Sequence, residues 1–530
     1  MTNRAGRGRA IRAPLPLALL AGLVVAALLL PVAYLVIRVA GGGRAIEILG
    51  EPATWRLVWN TVRLAAGVVV ASVLVGVPLA WLVTRTDLPG RRFWGTAAAV
   101  PLVIPSYVAA FCLLGFFGDR GLLAEALGID RLPDVRGYWG SLAALTLATY
   151  PYVFLLAQAA LRSLDPALEE AAGGLGASRR SVFFRVTAPA LRPAVGLGSL
   201  LVALYTLSDF GVVTLMGYDT LTRAIYVQYG SLFDRAPAAT LALVLVGLTA
   251  VAVAAESRLR RKGRLYRAGP GSQRDGLVVP LGRWTVPALV FCTSVVGLFL
   301  GLPAGVLGYW LGRGIVNEQQ LDIPWSEAVN SLGASGLAAG FAVLAAVPVA
   351  VLALRYPSPT SRALERLSYA GNALPGLVIA LSLVFFAARY ATPVYQTLAL
   401  LVFAYVVRFF PQGLSGVASA LEGVSPRYEE AARGLGRGPV ATLALVTLPL
   451  VRSGLLAGAA LVFLSAMKEL PATLLLRPIG FETLATEIWK LTQIGAYSRA
   501  ALPALVLIAV SAPVLYLLSS NRRFESGGPG

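Results

Sequence analysis

The feature that most constrains this chain is a series of apolar runs, each long enough to cross a lipid bilayer. A transmembrane helix needs about 20 consecutive apolar residues. Because lipid offers no hydrogen-bond partner to a free backbone, such runs are expected to be α-helices. We therefore predict an all-α polytopic membrane protein with about 12 transmembrane helices. The predicted spans are 15–37, 57–84, 97–117, 138–161, 195–216, 238–255, 286–310, 328–354, 370–388, 395–417, 454–476 and 501–520.

Composition supports a membrane protein. Of the 530 residues, 57% are hydrophobic and 13% are charged, whereas a soluble domain carries roughly 25% charged residues. The first run, 15–37, lacks a clear small-residue cleavage site. It is therefore interpreted as a retained helix and not as a signal peptide.

The placement of positive charge predicts the orientation of the chain. The net charge is +19, and with the N-terminus in the cytoplasm 29 of the 45 Lys and Arg residues fall in the loops and termini of that side. The loops of the opposite side hold 13. By the positive-inside rule, both termini are predicted to be cytoplasmic. The densest basic run, 256–267, is typical of a juxtamembrane anchor on anionic membrane lipid, which makes nucleic-acid binding the weaker interpretation.

Several kinds of chemistry are excluded by residue counts. The chain has no histidine, and its two cysteines, Cys112 and Cys292, both lie in apolar segments. His-based catalysis and His-ligated metal sites are therefore excluded, and we assign no catalytic residue, no metal site and no bound cofactor to this chain. A phosphate-binding P-loop requires Lys followed by Ser or Thr. The three lysines, Lys262, Lys468 and Lys490, are followed by Gly, Glu and Leu, so we predict no ATP site in this chain.

The chain repeats itself in the same order. An offset of 270 pairs Pro105 with Pro375, and an offset of 260 pairs Pro189 with Pro449. The change in offset indicates about ten extra residues in the first half, most simply in the loop 118–137. Six helices in each half imply parallel repeats. We predict a first repeat over 1–255, a basic linker over 256–285 and a second repeat over 286–530.

The most similar parts of the two halves are two loops, about 163–194 and 423–454. The first contains EEAAGGLG at 169–176 and the second contains EEAARGLG at 429–436. In each, a capping residue and a proline, Asp165–Pro166 or Ser425–Pro426, predict the start of a short helix. The glycines near its end supply left-handed backbone. We predict two short helices with equivalent roles, exposed on the cytoplasmic side.

These loops resemble the signature of ABC importer permease subunits. That signature is Glu-Ala-Ala, three residues, Gly, nine residues, an aliphatic residue, any residue, Leu and Pro. The first copy is Glu170-Ala171-Ala172, Gly176 and Val186-Thr187-Ala188-Pro189. The second copy is Glu430-Ala431-Ala432, Gly436 and Val446-Thr447-Leu448-Pro449. Only Ala188 departs from the pattern, where it replaces Leu.

The resemblance covers nearly the whole chain and implies the type I importer (MetI-like) architecture, in which each such loop carries a coupling helix that docks on an ATPase subunit. It implies two ATPase partners that use ATP and Mg²⁺, a periplasmic or lipid-anchored substrate-binding protein, and a place in the bacterial inner membrane. The docking residues carried over are Glu169, Glu170, Ala171, Ala172, Gly176, Glu429, Glu430, Ala431, Ala432 and Gly436.

For the substrate, the sequence looks most similar to fused ferric-iron permeases, through segments 208–239 and 467–490. These segments hold Asp209, Lys468 and Glu469 next to apolar sequence. Because ionisable residues within a span are costly, they are candidates for the translocation pathway. A structural Lys468–Glu469 pair at a helix end is the alternative. Permeases for thiamine, polyamines or phosphonates share the architecture and remain alternative identities.

A secondary transporter with two six-helix halves is the competing class. The segment TRTDLPGRR at 84–92 superficially resembles a loop of that superfamily, but Pro89 and the different counterpart at 354–362 weaken the match. The two Glu-Ala-Ala loops fit the importer signature in both spacings. We therefore favour the ABC importer permease.

Overall fold

The computed structural model describes residues 13–41, 43, 45–118, 121–129, 133–230, 236–263, 278–318, 322–369, 371 and 374–524. Within these ranges the chain is helical and contains no β-strand. The one isolated β-bridge of this part of the chain joins Thr86 to Val279. The middle of the predicted basic linker, 264–277, lies outside the described residues.

Eleven described helical stretches are long and apolar enough to cross a membrane. The shorter apolar helix Gly376–Tyr390 lies where the ninth span is predicted. Every predicted span therefore coincides with a helix, and the all-α polytopic class is confirmed. The main helices are Leu15–Gly41, Pro52–Arg85, Ser106–Phe117, Tyr138–Ser163, Ala188–Ser208, Ala236–Gly263, Thr285–Val296, Leu302–Val316, Trp325–Arg355, Gly376–Tyr390, Leu398–Glu422, Leu448–Met467 and Tyr497–Phe524.

Shorter helices connect the spans. They are Ala45–Gly50, Arg91–Ala97, Val100–Val103, Leu122–Leu127, Pro166–Gly174, Arg179–Val182, Gly211–Leu215, Leu221–Gly230, Gly282–Trp284, Pro359–Ser368, Thr392–Val394, Pro426–Gly434, Pro439–Thr442, Pro471–Leu476 and Leu484–Gln493. Three segments have π-helical hydrogen bonding, Phe183–Thr187, Gly297–Gly301 and Leu443–Thr447. The first and third occupy equivalent positions, directly before the fifth span of each half.

Two predicted spans end earlier than their apolar pattern indicates. The pattern continues to residue 216 in the fifth span and to residue 476 in the eleventh, but the helices end at Ser208 and Met467. Each break is followed by a short helix, Gly211–Leu215 or Pro471–Leu476. The predicted ends are wrong because the helix stops at each break and a new helix begins. An acidic side chain at the break accepts a hydrogen bond from a free N–H in the first turn of the new helix, which stabilises its start.

One compact unit is formed by residues 44–323 and 488–508. Its core contains Tyr150, whose hydroxyl donates to the Ala98 carbonyl at 2.8 Å. The Tyr150 ring also packs 4.9 Å from the ring of Phe299, measured between centroids. Trp310 donates through Nε1 to the Gly115 carbonyl at 3.2 Å. The helices of the seventh span, Thr285–Val296 and Leu302–Val316, therefore belong to the unit that holds most of the first half of the chain.

The other compact unit is formed by residues 1–43, 324–487 and 509–530. Here the first span, Leu15–Gly41, packs against Trp325–Arg355 and Gly376–Tyr390. Tyr34 donates to the Phe385 carbonyl at 3.3 Å. Each unit thus contains the first span of the opposite half of the chain. The predicted repeat boundaries, which follow chain order, remain a prediction.

Candidate functional site

The two short helices predicted from the repeated loops are present with the predicted start and end. The first EAA helix, Pro166–Gly174, begins after Asp165, whose Oδ1 accepts from the Ala167 N–H at 3.0 Å. The second EAA helix, Pro426–Gly434, begins after Ser425. Gly176 and Gly436 both have φ of +84°, a backbone conformation that a side chain would strain.

Within the first EAA helix, the two adjacent glutamates point in different directions. Glu169 is buried, whereas Glu170 is exposed. The Glu169 carboxylate lies 3.3 Å from the Arg85 guanidinium and accepts a hydrogen bond from the Thr187 hydroxyl at 2.7 Å. Arg85 is the last residue of the second span. The buried carboxylate therefore fastens the short helix to the end of a membrane helix.

The second EAA helix repeats this arrangement. Glu429 is buried and Glu430 is exposed. Arg355 Nε donates to Glu429 Oε1 at 2.9 Å, and the Thr447 hydroxyl donates to the same oxygen at 3.3 Å. Arg355, Glu429 and Thr447 correspond to the first-half residues at the offsets found in the sequence. In both loops, equivalent residues form the same ion pair and the same threonine hydrogen bond, so the two loops have the same local structure.

Neither arginine was predicted as a site residue, although the offset of 270 residues also pairs Arg85 with Arg355. An arginine at the end of a span is ordinary in a membrane protein, so its role depends on where the loop folds back. Loss of one partner of a buried ion pair typically costs about 3–5 kcal/mol because the other charge is left uncompensated. Both arginines are therefore central to the position of the EAA helices.

The outward faces of the two EAA helices carry the remaining predicted docking residues. Glu170, Ala171, Gly176, Glu430, Ala431 and Gly436 are exposed, Ala172 is half-buried and Ala432 is buried. Leu175 is 89% exposed and Leu435 is 84% exposed at the equivalent position. A pair of equivalent exposed leucines beside exposed carboxylates is a surface suited to a protein partner. The leucines were missed because apolar residues are unremarkable in this sequence.

Asp209 occupies the break after the fifth span. Its Oδ1 accepts from the Val212 N–H at 2.9 Å, and its Oδ2 accepts from the Ser106 hydroxyl at 2.5 Å. The side chain is buried. Its carboxylate therefore holds the start of helix Gly211–Leu215 and links it to the start of the third span.

Glu469 occupies the equivalent break in the second half and has a different partner. Its Oε1 accepts from the Ala472 N–H at 3.3 Å, and its Oε2 lies 3.0 Å from Arg408 Nε. A Cβ atom on Gly376 would lie 2.3 Å from Glu469 Oε1. Gly376 corresponds to Ser106, so the longer Glu469 and its arginine occupy space that the serine fills in the first half. Glu469 therefore pairs with Arg408, and the predicted Lys468–Glu469 pair remains a prediction.

The described residues form no cluster of metal-ligating side chains. No group of three or more His, Cys, Asp or Glu side chains that could hold a metal ion occurs among the described residues. Lys468 is half-buried and follows the eleventh span directly. The geometry assigns Asp209 and Glu469 a positioning role at the two breaks, and a pathway role for these residues remains a prediction.

Comparison with known proteins also divides the chain into two similar segments. The sequence matches the family described as "Binding-protein-dependent transport system inner membrane component" over residues 72–264 and 338–523. It is 35% identical over 513 residues to the Fe(3+)-transport system permease protein FbpB 2 of Haemophilus influenzae, a match that covers 96% of this chain and 98% of that protein. It is 25% identical over 504 residues to the ferric transport system permease protein FbpB of Actinobacillus pleuropneumoniae, covering 89% and 72%. The molybdenum transport system permease protein ModB of Escherichia coli is 30% identical over 232 residues, which are 42% of this chain and 99% of that protein.

Proposed function

Since the chain belongs to the family of binding-protein-dependent transport system inner membrane components and is the permease of an ABC importer, we propose that it translocates ferric iron into the cytoplasm, powered by two separate ATPase subunits. One ATPase subunit docks on each EAA helix. A substrate-binding protein, periplasmic or lipid-anchored, delivers the ion on the opposite side. Both termini lie in the cytoplasm.

The observation that carries the ATPase docking is the shared construction of the two EAA helices. In each, one glutamate is buried against an arginine at the end of a span, and its neighbour is exposed beside an exposed leucine. The buried pair transmits force between the short helix and the membrane helix. The exposed pair forms the contact with the partner. Two equal sites fit two copies of one ATPase.

The energy source is placed outside this chain because its three lysines do not fit a P-loop. ATP and Mg²⁺ are used by the partner subunits, and the permease itself binds no cofactor. Closure of the ATPase pair on ATP draws the EAA helices together, and the attached spans follow. The pathway then opens toward the binding protein, and hydrolysis returns it to the inward-open state.

Ferric iron is favoured over the other substrates because a relative that matches nearly the full chain is a ferric-iron permease by name. The molybdenum permease matches less than half of the chain. Thiamine, polyamine and phosphonate importers share the architecture and are the alternative identities.

The proposed function is tested by reconstituting the permease with its ATPase in proteoliposomes and supplying the loaded binding protein. We expect uptake of radioactive iron that depends on ATP and on the binding protein. Thiamine, spermidine and a phosphonate serve as parallel cargoes, each with its own binding protein, and uptake of one of them in place of iron would reassign the substrate. Uptake driven by an ion gradient without any ATPase would instead favour the secondary transporter.

A further inference from the structure

The first EAA helix borders a cavity of about 760 Å³ whose apolar wall has no part in the proposed transport function. Sites for small molecules and cofactors have volumes of about 300–1,000 Å³. The cavity lies where the second span ends at Arg85, and residues that follow the linker, Val278 and Val279, form part of its wall. Val279 donates its N–H to the Arg85 carbonyl at 2.8 Å, which fixes this wall in place.

Part of the wall is apolar and aromatic. Trp81 and Phe183 pack edge to face with ring centroids 6.1 Å apart, and Phe184 lines the cavity while remaining 70% exposed. The corresponding residues of the second half are Val351, Leu443 and Ala444. Tryptophan near the end of a membrane helix is typical of the lipid headgroup region. An acyl chain of a lipid suits these apolar residues.

Other lining residues carry charge. Arg85, Glu169 and Glu170 all line the cavity, so the wall holds one guanidinium and two carboxylates. Arg85 is 3% exposed, and none of its three side-chain nitrogens makes a hydrogen bond in the described part of the protein. By contrast, Arg355 donates to the Leu421 and Val424 carbonyls at 3.1 and 3.0 Å.

The Glu169 carboxylate, 3.3 Å away, balances the charge of Arg85, but a buried guanidinium without hydrogen bonds is still costly, and a ligand with a strong acceptor lowers that cost. The net charge of the wall is negative, so an anionic ligand is disfavoured. A ligand that carries both an acceptor for Arg85 and a cationic donor for Glu170 satisfies both groups. Phosphatidylethanolamine has this chemistry, with a phosphate, a primary ammonium and acyl chains in one molecule.

We propose that this cavity is a specific binding site for one phosphatidylethanolamine molecule, whose phosphate faces Arg85, whose ammonium faces Glu170 and whose acyl chain lies against Trp81 and Phe183. The aromatic part of the site is particular to the first half, because Val351, Leu443 and Ala444 replace Trp81, Phe183 and Phe184 in the second. It makes the position of the first EAA helix sensitive to the lipid that surrounds the protein.

Native mass spectrometry of the full chain tests the site. The chain is exposed to equal amounts of phosphatidylethanolamine, phosphatidylglycerol and phosphatidylcholine. We expect one retained phosphatidylethanolamine, preferred about tenfold over the other two, because only its ammonium can donate a charge-assisted hydrogen bond to Glu170. Equal retention of the three lipids, a preference for phosphatidylglycerol, or no retained lipid would each overturn the proposal.

Cavity-filling variants locate the bound lipid. Val182→Trp fills the cavity and is expected to abolish the preference, whereas Thr442→Trp, the equivalent change in the second half, keeps it. Val278→Asp places a negative charge at the exposed rim, so it tests the site without a large side chain in the interior, and Val278→Thr is its control. We expect several-fold weaker retention with the aspartate. Unchanged retention in both Val182→Trp and Val278→Asp contradicts this location.

Discussion

Arg355 Nε lies 2.9 Å from Glu429 Oε1, and both side chains are largely buried. This contact joins the end of the eighth span to the second EAA helix, and the same arginine donates to two backbone carbonyls of the segment that leads into that helix. Arg355 therefore links the second EAA helix to the eighth span, and we expect it to pass a movement of the short helix to the membrane helix.

Arg355→Ala should uncouple the EAA helix from its span. The change leaves the Glu429 carboxylate buried without its cation, at a cost of about 3–5 kcal/mol. We expect uptake to be lost while the partner ATPase still hydrolyses ATP, measured as transport and hydrolysis in the same proteoliposomes. The charge swap Arg355→Glu with Glu429→Arg serves as the matched test. Full uptake in the single variant would contradict the role of this pair.

Glu430→Lys should weaken ATPase docking and leave the fold intact. Glu430 is exposed beside the buried Glu429, so a lysine at this position is solvated in the free permease. It presents a positive charge to the ATPase where the wild type presents a negative one. We expect about tenfold weaker association, consistent with removal of one charge-assisted contact. Association is measured by co-purification across a series of ATPase concentrations. Glu318→Lys, an equal charge change at an exposed position far along the chain, is expected to have no effect.

Leu175→Ala and Leu435→Ala should have equal effects on ATPase association. Each leucine is more than four-fifths exposed in the permease, and burial of such a side chain by a partner is worth about 1.5–3 kcal/mol. We expect each single variant to lose about tenfold in affinity or more, with little change in the thermal stability of the free permease. A large effect from one leucine and none from the other would argue against two equivalent docking sites.

Gly376→Ser should disturb the break after the eleventh span. The added Cβ would lie 2.3 Å from Glu469 Oε1 and 2.8 Å from Arg408 Nη1, so the ion pair must shift. We expect the free energy of unfolding to fall by about 1–3 kcal/mol, the usual cost of overpacking, and uptake to be reduced.

The rescue of that variant follows from the first half of the chain. There the equivalent positions are Ser106, Asp209 and Ala148, and the serine donates to the aspartate. Adding Glu469→Asp and Arg408→Ala to Gly376→Ser should restore stability, because the serine can then donate to a shorter carboxylate. Stability in the triple variant below that of Gly376→Ser alone would show that the two breaks are not interchangeable.

Much of this protein follows from its sequence. Apolar runs at bilayer length determine the helical class, because an unpaired backbone in lipid is too costly for any open alternative. Capping residues and glycines determine where the EAA helices begin and end, because their effects act within one turn. The spacing of the two copies identified the family before any contact was known.

Tertiary structure decided which glutamate of each adjacent pair is buried and which is exposed. Glu169 and Glu170 are adjacent and chemically equal, and only the approach of Arg85 makes the first a buried anchor and leaves the second exposed. The break at Glu469 likewise depends on Arg408 and on the absence of a side chain at Gly376. These pairings join residues far apart in the chain, so no local propensity encodes them. They arise because a buried charge must find a partner wherever the fold brings one near.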